Sequence, residues 1–181
     1  MFAIETERLI LRDFSTKDAD DYVSLTQDAK YQRFYSEEDC EASKSRMLVE
    51  LFSTQALEQP RTKFQLAIEL KTTKQMIGTC GVRLEESQQA SMGCGVGRKF
   101  QGAGYAQEAA EALIAYGFKH LNIHRLYAET IGANKAAIIL CQQMGMAQEA
   151  HFVEHRYFKQ KWWDTVVYAI RKTQWEERQI R

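Results

Sequence analysis

A single α/β domain is the fold class that the sequence predicts, and three observations carry it. Strand-like alternation of apolar and polar residues dominates the middle of the chain, a strand–helix–strand–helix–strand order follows, and five of the ten glycines crowd between Gly93 and Gly104, where a strand hands over to a helix. At 181 residues with 45% hydrophobic side chains, such a chain buries about 70% of its unfolded surface and holds a core without disulfides or metal. No repeat, low-complexity tract or flexible linker divides it, so residues 1–181 read as one domain.

Arg8 to Phe14 alternates like a strand, and Thr16 to Gln27 opens with a threonine cap and acidic residues like a short helix. Ser36 to Leu57 reads as a second helix, started by Ser36 and Asp39, with Met47, Leu48 and Leu51 spaced for a buried face. Pro60 marks a loop. Beyond it Phe64, Leu66, Ile68 and Leu70 share one strand face, Lys71 to Lys74 make a turn, and Met76 to Leu84 returns as the partner strand of a hairpin. Met92 to Arg98 is a strand and Gly104 to Leu121 a helix, whose Ala106, Ala109, Ala110, Leu113, Ile114 and Gly117 form a small-residue stripe suited to close packing. Arg125 to Ile131 is a strand, and Asn134 to Met144 a buried helix stopped by Gly145. His151 to Phe158 and Thr165 to Ile170 finish the chain as strands.

Charge narrows the partners. Basic and acidic side chains number 24 each, so no bulk field attracts nucleic acid or an anionic membrane. No apolar run is long enough to span a bilayer, and the first residues lack a secretory pattern, so the expected compartment is the cytoplasm. Cys40, Cys80, Cys94 and Cys141 are scattered and read as reduced. The pairs His120/His124 and His151/His155 lack neighbours at ligand spacing, so no metal site is expected.

Chemistry points to the glycine run, GCGVGRKFQGAG. It leaves a strand and enters a helix, whose first N–H groups lack internal partners and whose dipole favours anions. Gly102 and Gly104 carry no Cβ to hold a ligand off the backbone, so amides from Gln101 to Ala106 are placed to converge on a diphosphate. A tight turn with no ligand is the alternative. A dinucleotide fingerprint is excluded because Gln107 stands where its third glycine belongs, and a nucleoside-triphosphate loop because Gly-Lys-Ser/Thr is absent.

The run Val96 to Ala106 resembles the Gln/Arg-x-x-Gly-x-Gly/Ala signature of the GCN5-related N-acetyltransferases, met by Gln101, Gly104 and Ala106. ETERLILRDF, KTTKQMIGTCGV, ANKAAIILCQQMGM and WWDTVVYAIRKTQW follow the order of the RimJ/RimL-like branch. The resemblance implies a mixed, mostly antiparallel sheet of about six or seven strands flanked by about four helices and splayed at an acetyl-CoA site. It implies that Val96, Gly97, Arg98, Gln101, Gly102, Ala103, Gly104, Tyr105 and Ala106 bind acetyl-CoA, with Asn134 contributing. As the first residue of an apolar helix, Asn134 is also a good N-cap.

The resemblance further implies direct attack of a primary amine on the thioester, with a backbone N–H near Val96 meeting the oxyanion. This chain departs from the family at the acid: Cys141 stands where many relatives carry Tyr, and Ala137 where the branch often carries Ser. Cys141 is then a weak donor or a packed small hydrophobe. Glu129 is the leading base candidate, ahead of Glu85, Glu86, His151 and His155. The acidic residues Asp18, Asp20, Asp21, Glu37, Glu38, Asp39 and Glu41 either draw a cationic acceptor or form a solvated face, and Trp162, Trp163 and Tyr157 either wall a cleft or pack. The expected partner is a protein N-terminus or a small amine, polyamine or antibiotic, handled by a monomer or homodimer. A catalytically weak acyl-CoA-binding module is the competing reading.

Overall fold

The computed structural model describes residues 1–180. Its strands are β1 (Ala3–Glu5), β2 (Leu9–Asp13), β3 (Lys63–Leu70), β4 (Met76–Leu84), β5 (Gln89–Val96), β6 (Arg125–Ile131), β7 (Ala147–Phe158) and β8 (Lys161–Arg171). Its helices are α1 (Ala19–Thr26), α2 (Ala42–Gln55), α3 (Tyr105–His120), α4 (Lys135–Gln143) and α5 (Lys172–Ile180). The strands form one sheet in the order β1-β2-β3-β4-β5-β6-β8-β7. Every neighbouring pair is antiparallel except β5 and β6.

Alternation along the strands divides the side chains between two cores. Leu9, Leu11, Leu66 and Ile68 bury against Ala109, Ala110, Leu113 and Ile114 of α3, the small-residue stripe that lets this helix sit close. On the opposite face Ala67 and Met76 pack with Phe14, Tyr22 of α1 and Val49 of α2.

The sheet has eight strands where six or seven were expected, and five helices where four were. β1 is three residues long, too short to show alternation, and is held by pairing to β2 and by the Phe2 N–H donating to Asp13 Oδ2 at 2.8 Å. The α5 segment is polar, docked by Trp175 against Phe118 at 5.5 Å. The helix expected over Ser36 to Leu57 begins only at Ala42. Ser36 Oγ donates to Asp39 Oδ2 and accepts from the Asp39 N–H, closing a separate 3-10 turn over Glu38–Cys40.

The buried stripe of α2 is Ser45 and Val49, while Met47 and Leu51 are exposed. Ser45 is small and meets Thr26 of α1 through a 2.7 Å hydroxyl pair, which draws the two helices together on that side. A second correction concerns α4, which lies on the surface with Ile139 exposed and only Cys141 buried among its residues. Its expected glycine stop is present: Gly145 has φ +77, and the Gly145 and Met146 amides return to the Gln142 and Cys141 carbonyls.

Parallel pairing of β5 with β6 covers only Gln89↔Arg125, Ala90↔Leu126 and Ser91↔Tyr127. Beyond these residues the strands part. The junction is stapled by Arg125 Nη1 to Gln89 Oε1 and by the His124 N–H to the Gln88 carbonyl, both 2.8 Å, and by Tyr127 Oη to Glu85 Oε1 at 2.9 Å.

Candidate active site

Where β5 leaves β6, the chain turns through Gly97 to Gly104 and enters α3. Gly102 (φ +81) and Gly104 (φ +79) adopt the left-handed conformation that side chains resist, and a Cβ on Gly102 would meet no atom within 4 Å. Among the described residues the amides of Gly102, Gly104, Tyr105, Ala106 and Gln107 have no hydrogen-bond partner, and the Glu108 N–H is the first to close the helix, on Gly104. Unpartnered amides at a helix N-terminus are an arrangement that can accept an anion. Gln101 lies outside it: its amide closes on the Arg98 carbonyl at 3.3 Å, and its side chain donates to the Val96 carbonyl at 3.4 Å. Arg98 and Lys99 stand exposed beside the loop and form no ion pair among the described residues.

Backbone direction along β5 supplies a second feature. The Gly97 N–H donates to the Ile77 carbonyl at 2.7 Å, so the alternation of an antiparallel ladder turns the Val96 and Cys94 amides away from β4, into the space left by β6. Gly93 and Gly95 present bare backbone on the α1/α2 face of the same strand. Cys94 points to the other face, where its thiol donates to the Ala106 carbonyl at 3.5 Å and ties β5 to α3. Burial pushes that thiol up to about 12, so it stays neutral.

A cleft of about 300 Å³ opens on the far side of the gap, among Phe34, Tyr35, Asp39, Glu129, Arg156 and Phe158, with Asn134 and Thr165 also on its wall. Glu129 reaches it from β6, and Arg156 of β7 holds the carboxylate through Nη2 to Oε1 at 2.6 Å. Phe34 packs edge-on against Trp163 at 5.8 Å, and Phe158 stacks on Trp163 at 5.2 Å, so Trp163 backs the cleft. Lys159, in the β7–β8 turn, donates to the Gln32 carbonyl and joins the turn to the α1–α2 loop. Of these residues the sequence pointed to Glu129, Asn134, Trp163 and the acidic Asp39. The others come from stretches that only the fold brings together.

Local contacts account for most of the other candidates. Asn134 caps α4, its Oδ1 accepting from the Ala137 N–H at 3.3 Å. Cys141 packs in the main core and is absent from the cleft wall, with burial pushing its thiol up to about 11. Most of the acidic run is engaged: Asp18 with Arg12, Asp20 with Arg46, Glu38 and Asp39 with Lys44. Only Asp39 of that run lines the cleft. Glu85 accepts from Tyr127, and His151 pairs with Asp164 at 2.7 Å. His155 meets Thr165 Oγ1 at 3.0 Å. Trp162 and Tyr157 are exposed and pack on each other at 5.2 Å. No described helix is long and apolar enough to cross a membrane.

A family model described as an acetyltransferase (GNAT) domain matches residues 8–147. The uncharacterized N-acetyltransferase p20 of Bacillus licheniformis is 29% identical, covering 97% of this chain and 99% of its own. YoaA of Bacillus subtilis, also an uncharacterized N-acetyltransferase, is 30% identical over 95% of this chain and 98% of its own. Two relatives match only in part: the ribosomal protein uS5-alanine N-acetyltransferase of Escherichia coli, 30% identical over 46% of this chain and 43% of its own, and the spermidine N(1)-acetyltransferase of Vibrio cholerae, 30% identical over 35% and 37%. In three dimensions, the GNAT-family acetyltransferase of Bacillus anthracis superposes with a TM-score of 0.82 at 24% identity, covering 95% of this chain and 99% of that one.

Proposed function

The chain belongs to the acetyltransferase (GNAT) family and is an acetyl-CoA-dependent N-acetyltransferase, and from that premise we propose that it acetylates an α-amino group, at the N-terminus of a protein or peptide. The observation that carries the reading is the parting of β5 from β6 beside the unpartnered loop amides, with the Glu129 cleft on its far side. The bare cradle fits a diphosphate, and the gap beside Val96 fits an extended thiol-bearing arm.

In this reading the backbone of Gly102, Ala103, Gly104, Tyr105 and Ala106 holds the pyrophosphate, while Gly97 and Gln101 brace the loop and Arg98 adds charge. Asn134 fixes the turn on the other bank of the gap. Acetyl-CoA supplies an activated acyl group, so the protein needs no nucleophile of its own. Glu129 takes a proton from the amine, directly or through one water, as its nitrogen bonds to the acyl carbon. The outward amide of Val96 stabilises the oxyanion that develops there, a contribution of about 3 kcal/mol where comparable donors have been removed. As the carbon–sulfur bond breaks, the thiolate leaves and takes a proton from solvent. Cys141 stays outside this sequence, as a packing residue.

An α-amine, with a pKa near 8, is partly neutral at cellular pH, whereas an alkyl amine near 10.4 is not. That difference supports the α-amine, because Glu129 is a carboxylate engaged by Arg156 and the cleft lining holds no histidine or lysine. The uS5-alanine relative supports the same choice, and the spermidine relative keeps polyamines in the test. The experiment incubates the protein with acetyl-CoA and a mixture of N-terminal peptides, polyamines, aminoglycosides and amino acids, then detects acetylated products by mass. Acetylation of peptide α-amines is expected. Acetylation of polyamines alone would overturn the acceptor assignment, and binding of acetyl-CoA with no transfer to any amine would favour the binding-module reading.

A further inference from the structure

Arg8 reaches the glycine loop from the other end of the sequence. Its Nη1 donates to the Ala103 carbonyl at 2.8 Å, its guanidinium lies 4.5 Å above the Tyr105 ring, and its Nη2 stands 3.4 Å from where a Cβ on Gly104 would sit. The side chain is fixed from behind. Glu108, in the first turn of α3, accepts from Arg8 Nε at 2.6 Å, from the Arg8 amide at 2.8 Å and from Thr6 Oγ1 at 2.6 Å. Burial raises the Glu108 carboxyl, but these bonds win and hold it below its ordinary range.

The planarity of the peptide group turns this clamp into a statement about the cradle. In a trans peptide the C=O and the following N–H point in opposite directions. Holding the Ala103 carbonyl toward Arg8 therefore aims the Gly104 N–H away from Arg8.

We propose that Arg8 is a positioning residue for donor binding: its fork spans Ala103 and Glu108 and so sets the Ala103–Gly104 peptide. The proposal rests on the reading of the loop as the pyrophosphate site. It assigns a donor-binding role to a residue 95 positions from the loop carbonyl that it holds.

The test measures CoA binding by titration calorimetry, melting temperature, and kinetics with two donors, acetyl-CoA and the truncated S-acetylpantetheine, which lacks the pyrophosphate. Arg8→Gln is expected to raise the CoA Kd and the acetyl-CoA KM by roughly ten- to a hundredfold, the range for loss of charge-assisted hydrogen bonds. KM for the truncated donor and kcat at saturation are expected to stay within about threefold. Arg8→Lys keeps the charge without the fork and should recover only part of the loss. Glu108→Gln loosens the anchor yet leaves a guanidinium to reach Ala103, so it should lower the melting temperature like Arg8→Gln but raise the CoA Kd by several-fold less than Arg8→Gln does.

Equal losses in CoA affinity for Arg8→Gln and Glu108→Gln, or equal loss with both donors, would reduce Arg8 to a structural role. Full recovery by lysine would replace positioning by charge alone. Failure of the unaltered protein to bind CoA would overturn the loop reading itself, and the Arg8 proposal with it.

Discussion

Replacing Gly102 by alanine separates two demands made on one residue. At φ +81 an alanine occupies the left-handed region at a cost of about 1–2 kcal/mol, and its methyl group touches nothing in the protein within 4 Å. The free protein should therefore lose only that strain, a fall in Tm of about 2–8 °C for a chain of this size. The same methyl enters the space beside the unpartnered amides, where the pyrophosphate is proposed to lie. With CoA at about a hundred times its Kd, the unaltered protein gains about 2.7 kcal/mol of stability. A tenfold weaker variant at the same concentration gains about 1.4 kcal/mol. Scanning calorimetry of both proteins, with and without CoA, reads both quantities. A variant that loses Tm as expected but keeps the whole CoA gain would show that the cradle is not where the donor binds. An unchanged Tm without CoA would refute the strain assigned to this position.

Three further outcomes are expected. Glu129→Gln should lower kcat by about a hundredfold or more while CoA affinity measured by calorimetry stays within threefold, and an unchanged kcat would remove Glu129 from proton transfer. Cys141→Ala should retain kcat within about threefold and cost about 1 kcal/mol in urea unfolding, since it deletes one buried sulfur; loss of kcat with normal CoA binding would reinstate the thiol as an acid. Asp18 is buried, which raises its carboxyl, but bonds from Arg12 and the Ser15 amide prevail and lower it. Its stabilisation is therefore complete above the unfolded value near 3.9 and is lost as pH falls through the lower folded value, so Asp18→Asn should flatten the acid limb of stability against pH.

What the sequence disclosed depended on how local the determinant was. Arg125 to Ile131 was legible to its ends, because the strand is bounded by the bend at His124 and the turn at Gly132. The glycine turn into α3 was legible because bare backbone is written in the residues themselves, and Gly102 and Gly104 do take positive φ. α2 was misread because Ser36 satisfies its hydroxyl in a turn of its own, and because contact with Thr26 chose which face turned inward. α4 carries apolar residues all round, yet its place over β6 and β8 buries one side, a matter of position that composition does not encode. The cleft was the least legible part, since Phe34, Glu129, Arg156 and Thr165 meet only after the sheet has formed. Arg8 was hidden for the same reason: nothing in its own neighbourhood announces Ala103.

The departure of β5 from β6 also bears on how the molecule holds together. Five strands on one side and three on the other are each laced by antiparallel ladders, and only three residue pairs carry the backbone lacing between them. The sheet is thus two leaves on a short spine at Gln89–Ser91, reinforced by Arg125 and Tyr127. A donor arm lying in the opening would act as a temporary ninth strand, binding the free edges of both leaves. Hydrogen exchange should register this as slowing at Met92–Val96 and Ala128–Ile131 together. Occupancy of the site would then be a mechanical property of the whole sheet, which is open when empty and sewn when loaded.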